Sequence, residues 1–307
     1  MLSRCNKKEI RSFLWTSLAL GALSQSALAC QMPASSRFQM ITLKSSVFHN
    51  TRNLRIWLPP GYDDSANSTV KYPVLYMNDG LATFDTSRVN VEGAIDQLTK
   101  QKVIPPIILV GIDNGGQTLE STNFEDDRAD EFLPYPDIGY AEAIGGPPVP
   151  AAPHGKLYPK FLTEDVMPLI NSKYRTKTGP EFTALGGYSY GATAAIYCAS
   201  QIPQVIGKTL AESPPLWMGA NDEMLKECAQ CKSWSAIVHV GIGTDEPGDN
   251  DPSGEKMVNL TKQLVLSVKA ADPNCKVSLT IEEGARHEDA FWARRMLNDL
   301  TILFGSH

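Results

Sequence analysis

The chain has 307 residues and a formal net charge of −6, from 28 basic and 34 acidic side chains. An acidic chain without a basic run is not expected to bind nucleic acid. Its length suits one large domain, and no internal repeat or low-complexity segment divides it.

Residues 1–29 have the features of a signal peptide. Basic residues up to Arg11 precede the apolar stretch Phe13 to Leu23, and the small residues at 27–29 offer a cleavage site. The apolar stretch is too short to span a membrane. We therefore expect an exported protein, periplasmic or secreted, in which residues 30–307 form a single domain. Cleavage after Ala29 would leave Cys30 first, so an alternative is a lipoprotein that meets the membrane only through an acylated Cys30.

Apolar runs bounded by turn residues predict the strands, and runs with helical periodicity predict the helices between them. The predicted strands are at 38–43, 54–58, 72–77, 106–112, 182–185, 207–211, 235–243 and 276–281. The predicted helices are at 91–101, 157–174, 192–200, 222–229, 255–270 and 290–304. After an antiparallel opening pair, this alternation predicts an α/β fold with a doubly wound, mostly parallel sheet and helices on both faces.

Periodicity fails between residues 114 and 153. This region holds six prolines and an acidic cluster at 125–127. Long segments without regular structure in compact domains are usually functional or disordered. We expect a surface excursion over the functional edge of the sheet.

The segment Gly187-Tyr-Ser-Tyr-Gly191 fits the G-x-S-x-G pattern of a nucleophile elbow, with a strand before it and a helix after it. A serine at the apex of such a turn has a strained backbone, and glycines two residues away on either side leave room for it. The N–H of Tyr190 lies at the helix start, where it can point at a developing oxyanion. The alternative is a junction of small residues without catalysis.

A serine nucleophile requires a base, and the base requires an orienting acid. His287 follows the last predicted strand, whereas His239 lies in the middle of a strand and is expected to be buried for structural reasons. The acid is expected after the strand that ends at Gly243. Asp245, Glu246, Asp249 and Asp251 compete there, and the residues alone do not separate the first two.

Five further stretches resemble one known family in their order along the chain. They are PVLYMNDG at 73–80, VGIDNGG at 110–116, KYRT at 173–176, ESPPLW at 212–217 and GARHEDAFWARR at 284–295. Together with the elbow they resemble the putative-esterase family of α/β-hydrolases. That family includes esterase D, feruloyl and acetyl-xylan esterases, enterochelin-type siderophore esterases and mycolyltransferases.

The resemblance assigns roles to single residues. It implies that Ser189 is the nucleophile, His287 the base, and Glu246, in preference to Asp245, the acid. Some siderophore esterases of the family work with a serine–histidine pair alone, which leaves the acid open. The second oxyanion N–H falls on Leu81, beside that of Tyr190.

Two residues depart from the family pattern. Asn78 precedes the aspartate of the Asp-Gly pair, and Ala192 follows the elbow where a glycine is frequent. Neither change removes a catalytic group, and both are expected to reshape the acyl pocket.

These features predict an exported serine esterase that hydrolyses carboxylic esters through an acyl-enzyme, with no metal or cofactor. The substrate is expected to be a small-molecule or polysaccharide ester, such as an acyl or feruloyl group or a siderophore. Trp217, Trp292 and Tyr188 are candidates for aromatic walls of the substrate site, although Trp217 could equally be core packing. The alternatives are an acyltransferase of the mycolyltransferase type and a non-catalytic exported binding protein on a hydrolase scaffold.

Three cysteines are candidates for a disulfide in an exported protein. Cys231 and Cys275 each precede a predicted strand, and neighbouring parallel strands begin at the same sheet edge. Cys275 could therefore bond to Cys231, or to Cys228 one turn earlier. The competing pairing is a local Cys228–Cys231 bridge that leaves Cys275 free.

Overall fold

The computed structural model describes residues 37–115, 124–137, 152–219, 222–249 and 251–305. These residues contain an eight-stranded sheet of order β1-β2-β4-β3-β5-β6-β7-β8. The strands are β1 Phe38–Lys44, β2 Thr51–Trp57, β3 Val74–Asn78, β4 Ile108–Ile112, β5 Thr183–Tyr188, β6 Lys208–Glu212, β7 Ile237–Gly243 and β8 Lys276–Glu282. The β1–β2 and β2–β4 pairs are antiparallel, and every other pair is parallel. The predicted α/β architecture is confirmed.

Nine α-helices connect the strands in the described part of the chain. They are α1 Gly80–Phe84, α2 Val91–Lys100, α3 Phe124–Phe132, α4 Tyr158–Phe161, α5 Met167–Lys173, α6 Tyr190–Gln201, α7 Glu223–Gln230, α8 Ser253–Ala271 and α9 Asp289–Phe304. The predicted signal peptide, Cys30 and much of the region 114–153 lie outside the described residues.

Side chains alternate between the two faces of the sheet, as the period of a strand requires. In β3, Val74 and Tyr76 belong to the core beneath α3 to α8, whereas Leu75 and Met77 belong to the core beneath α1, α2 and α9. Both faces are therefore covered, which explains the continuous apolar run of this strand.

The region predicted as one helix at 157–174 is helical, but it is not one continuous α-helix. A π-helical turn, Leu162–Val166, separates α4 from α5. Pro168 has no N–H for the carbonyl of Glu164, which an uninterrupted α-helix would require. The wider turn accommodates the missing bond.

Helix α3 was not predicted, because its sequence FEDDRADEF has no apolar stripe. Its described C-terminal part is nonetheless well packed, since Ala129 and Phe132 expose 0% and 1% of their surface. The excursion over the sheet edge thus contains regular structure.

The predicted disulfide from Cys275 to Cys228 or Cys231 is wrong for this structure, in which all three cysteines are free thiols, as is Cys198. Their side chains have different neighbours. Cys228 contacts Ser200, whereas Cys275 contacts the backbone of Val238. The competing local Cys228–Cys231 bridge is also absent.

No helix in the described ranges combines the length and apolar character needed to cross a membrane.

Candidate active site

Ser189 lies between β5 and α6 with φ 54° and ψ −130°, a conformation that side chains rarely adopt. Gly187 and Gly191 lie where a side chain would collide with neighbouring atoms. A Cβ on Gly187 would lie 2.4 Å from the carbonyl carbon of Gly191, and a Cβ on Gly191 would lie 2.8 Å from Asp79 Oδ2. The backbone at Ser189 is therefore that of a nucleophile elbow.

His287 follows β8 on the same edge of the sheet, because parallel strands end together. Its Nδ1 lies 2.7 Å from Glu246 Oε2, and its backbone N–H donates to the carbonyl of Glu246 over 3.1 Å. This arrangement leaves Nε2 available for a proton. Ser189 Oγ forms no hydrogen bond within the described residues, and such bonds between catalytic groups often tighten only in the substrate complex.

The second oxygen of Glu246 is also fully engaged. Oε1 accepts hydrogen bonds from Ser213 Oγ and from the Gly243 N–H, each over 2.6 Å. Burial would raise the pKa of Glu246, but these bonds and the contact with His287 outweigh it and lower the pKa. Glu246 is therefore held as a carboxylate against the histidine.

Asp245, the other candidate acid, has a different partner. Its Oδ2 lies 3.3 Å from Nε of Arg286, a residue whose side chain is 44% exposed. The adjacent carboxylates thus point to different neighbours, and only Glu246 contacts His287.

Trp292 connects the elements of the site. Its indole N–H donates to Ser213 Oγ over 2.9 Å, its ring packs edge-on against His287, and it stacks on Tyr188 with ring centroids 5.2 Å apart. Tyr188 is the residue before Ser189, and Ser213 donates a hydrogen bond to Glu246. The indole of Trp292 therefore contacts a neighbour of the predicted nucleophile, the predicted base and a hydrogen-bond donor of the predicted acid. The sequence alone assigned no role to Ser213, because its side-chain contacts with Glu246 and Trp292 are distant in the chain.

The three predicted substrate-contacting aromatics are mostly packing groups. Tyr188 exposes 2% of its surface, and Trp217 and Trp292 expose 7% each. The indole N–H of Trp217 donates to Asp137 Oδ2 over 3.1 Å. These side chains leave little surface for a substrate, and their contact with one stays a prediction.

The two predicted oxyanion donors lie at helix starts, where backbone N–H groups have no partner within the helix. Tyr190 is the first residue of α6, and Leu81 is the second residue of α1. Asn78 joins the two turns, since its Nδ2 donates to the carbonyl of Gly191 over 2.7 Å and its Oδ1 accepts from Tyr158.

The two residues that depart from the family pattern lie in the interior of the protein, and their expected effect on the acyl pocket stays a prediction. Asn78 and Ala192 are both fully buried. Asn78 stabilises the elbow, and Ala192 packs in the helix behind it.

A model of the family described as "Putative esterase" matches residues 45–301. The chain belongs to this family. The resemblance seen in the sequence is thereby confirmed, and membership supports ester hydrolysis as the activity.

Three similar proteins share between 15% and 24% sequence identity with this chain. The uncharacterized protein YbbA of Bacillus subtilis is 24% identical over 260 residues, which cover 83% of this chain and 94% of YbbA. An IroE-like serine hydrolase from Shewanella oneidensis superposes with a TM-score of 0.67 at 20% identity, covering 87% of this chain and 80% of that one. The siderophore hydrolase EstB of Aspergillus nidulans gives 0.70 at 15% identity, with coverages of 90% and 98%. At these identities the structures establish the fold.

Another histidine–carboxylate pair lies inside the sheet. As expected from its position in mid-strand, His239 is buried, and its Nε2 lies 3.2 Å from Asp299 Oδ1. Glu212 lies beside this pair. Among the described residues, these three side chains form a cluster of the kind that could hold a metal ion, since their ligand atoms lie within 4.8 Å of one another. Arg295 already donates to Glu212 from Nε over 2.7 Å, so a cation is present there as a side chain.

Proposed function

We propose that this protein is an exported serine esterase that cleaves carboxylic esters through an acyl-enzyme on Ser189. His287 Nε2 accepts the proton of Ser189 Oγ as the oxygen attacks the ester carbonyl. The N–H groups of Tyr190 and Leu81 stabilise the oxyanion. His287 then returns the proton to the leaving alcohol, and a water molecule releases the acid by the same steps.

The observation that carries this proposal is the 2.7 Å contact of His287 Nδ1 with a buried carboxylate, at the same sheet edge as the strained elbow of Ser189. The carboxylate fixes the ring so that Nε2 faces outward, and it stabilises the imidazolium that forms during attack. A non-catalytic binding protein has no need for this arrangement.

Hydrolysis of p-nitrophenyl acetate by the wild type and by Ser189→Ala tests the proposal. We expect a loss of about 10³-fold or more in the variant. Mass spectrometry after reaction with a fluorophosphonate should locate one covalent adduct on the peptide that contains Ser189. Activity retained in Ser189→Ala, or an adduct elsewhere, would show that the nucleophile is a different group.

The proposed substrates are esters of polysaccharides or siderophores. This choice rests on relatives whose names include a ferulic acid esterase and a siderophore hydrolase. A panel of feruloyl, acetyl-xylan and catecholate siderophore esters, ranked by kcat/KM, identifies the class. The same panel with added alcohol acceptors distinguishes hydrolysis from acyl transfer, because transfer yields a new ester.

Export is proposed from the sequence of residues 1–29. Cell fractionation with mass spectrometry of the mature N-terminus tests it. A chain that starts unmodified at Cys30 indicates simple export, an acylated Cys30 indicates a lipoprotein, and an uncut chain contradicts the proposal.

A further inference from the structure

Helix α3 is held against the proposed catalytic edge by two buried ion pairs with two hydrogen bonds each. Arg128 donates to Asp79 from Nε over 2.7 Å and from a terminal nitrogen over 2.9 Å. Glu131 receives two bonds of 2.6 Å from Arg52. The first pair lies directly beside the turn that carries Leu81, and the second does not.

The carboxylate of Asp79 lies in a position that is unfavourable for the proposed reaction. Its backbone is left-handed, with φ 58°, and its side chain caps no N–H of α1. A Cβ on Gly191 would lie 2.8 Å from Asp79 Oδ2, so the carboxylate is adjacent to the turn that carries Tyr190. A negative charge this close to both oxyanion donors opposes the charge that develops in the transition state.

Arg128 compensates for that charge. Its guanidinium engages both carboxylate oxygens, a terminal nitrogen lies 3.4 Å from the Tyr188 carbonyl, and its side chain is only 12% exposed. A two-point bond to a guanidinium fixes the orientation of a carboxylate as well as its charge.

The other carboxylate beside the same turn is paired in the same manner. A Cβ on Gly80 would lie 2.6 Å from Asp113 Oδ1, and Arg55 donates to the two oxygens of Asp113 over 2.7 and 2.8 Å. Asp79 and Asp113 thus each have an arginine partner.

We propose that Arg128 is a positioning residue for ester hydrolysis, which neutralises Asp79 and keeps its carboxylate away from the oxyanion between Leu81 and Tyr190. The inference rests on the proposed function. It gives helix α3 a role in catalysis, because that helix delivers the neutralising charge.

A double-mutant cycle tests the proposal, with Arg128→Met, Asp79→Asn and the double variant assayed on p-nitrophenyl acetate. Arg128→Met should lower kcat on the order of 100-fold with little change in KM, since the unpaired carboxylate acts on the transition state. The double variant should regain most of that loss. The inhibition constant of phenylboronic acid, which forms an anionic tetrahedral adduct with serine, should follow kcat through the same cycle.

Glu131→Gln is the matched control, because it weakens the other anchor of the same helix. We expect its kcat to stay close to that of the wild type. An equal loss in Glu131→Gln would show that Arg128 acts only by docking the helix. A double variant as slow as Arg128→Met would show that Arg128 acts on substrate directly, and either result overturns the proposal.

If Arg128→Met does not fold, Asp79→Asn decides alone. Removal of the negative charge should leave kcat within about three-fold of wild type, and a loss near 100-fold would overturn the idea. Ser189→Ala distinguishes a failure of the proposed function from a failure of the inference about Arg128. Activity in Ser189→Ala overturns the proposed function and this inference with it, whereas a Ser189-dependent enzyme without rescue by Asp79→Asn overturns the inference alone.

Discussion

The pairs His287–Glu246 and His239–Asp299 lie within one molecule and differ in exposure, hydrogen bonding and position. His287 is 31% exposed and contacts Glu246 over 2.7 Å, whereas His239 is 1% exposed and lies 3.2 Å from Asp299. The first pair lies at the carboxyl edge of the sheet. The second lies within the sheet, against α9.

The environments of the carboxylates set their protonation. Glu246 receives two hydrogen bonds besides that of His287, and these lower its pKa despite burial. Asp299 Oδ2 and Glu212 Oε1 are buried without a donor in the described part of the chain, and burial raises the pKa of both groups. Donors to both carboxylate oxygens offset burial at Glu246, whereas Arg295 donates to one oxygen of Glu212 and does not offset it.

A histidine partnered by a stable anion, with one ring nitrogen left outward, is suited to proton transfer. Burial lowers the pKa of His239, which disfavours its charged form. Its Nδ1 lies 2.8 Å from Ser278 Oγ, so both ring nitrogens have neighbours. We therefore expect variants of the first pair to lose activity and variants of the second to lose stability.

The largest expected effect belongs to His287→Ala. Turnover of p-nitrophenyl acetate should fall by about 10³-fold or more, and Ser189→Ala/His287→Ala should be no slower than either single variant, because the two groups act together. The free energy of unfolding should fall by only about 1 kcal/mol, because Glu246 keeps its hydrogen bonds from Ser213 and Gly243. Steady-state kinetics and urea denaturation measure the two quantities.

His239→Ala is the matched comparison in the buried pair. It should lower stability by about 2 to 4 kcal/mol, because it leaves a cavity and removes a contact of Asp299. Activity per folded molecule should be retained. A collapse of kcat in a folded His239→Ala protein would contradict the division between the two pairs.

Glu246→Gln comes next, with an expected loss of about 10² to 10⁴-fold in kcat. An amide cannot stabilise the imidazolium, and it can hold the wrong tautomer of His287. Asp245→Asn is the control, since that carboxylate pairs with the exposed Arg286, and it should have little effect. The reverse ranking would move the acid to Asp245, and no effect from either would indicate a serine–histidine pair.

Ser213→Ala should have a smaller effect, about ten-fold in kcat. It removes one hydrogen bond from Glu246 and the acceptor of the Trp292 N–H, both of which are buried. Loss of stability of about 1 to 3 kcal/mol is expected from the unpaired groups. The acidic limb of the kcat/KM profile should shift if Ser213 orients the acid, and an unshifted profile with lower stability would indicate a structural role only.

The sequence was sufficient for most elements, because strand and helix periodicities are local. It was insufficient where a position depends on contacts distant in the chain. Helix α3 has no apolar stripe and is fixed by Arg128, whose partner Asp79 is 49 residues away. The residues alone could not separate Asp245 from Glu246, since adjacent residues in a turn differ in direction and not in chemistry, and the preference for Glu246 came from the family resemblance. The predicted disulfide was wrong for a similar reason, because two strand ends that lie close together do not determine the direction of the cysteine side chains.

The last expected effect concerns the pH dependence of stability, and it has opposite signs in the two regions. The pKa of Glu246 is lowered in the folded state, so its contribution is present above the ordinary value near 4.3 and is lost as pH falls through the folded pKa. The pKa values of Glu212 and Asp299 are raised, so the favourable contribution of this pair is complete below pH of about 4 and is lost as pH rises.

Asp299→Asn isolates the second contribution. The carboxylate oxygens of Asp299 and Glu212 lie within 4.8 Å of each other, and burial raises the pKa of both groups, so we expect the folded protein to hold one proton between them. An amide supplies that hydrogen permanently, so the variant should lose less stability than the wild type between pH 5 and 9. The difference should approach about 1.4 kcal/mol per pH unit for each proton no longer released. Urea denaturation at each pH measures this difference in stability. Glu92→Gln on α2 is the control, because it replaces another buried acid whose pKa is raised. Equal slopes in Asp299→Asn and the wild type would show that no proton is shared. A fall in wild-type stability on addition of EDTA would instead indicate that a metal ion holds the two acids together.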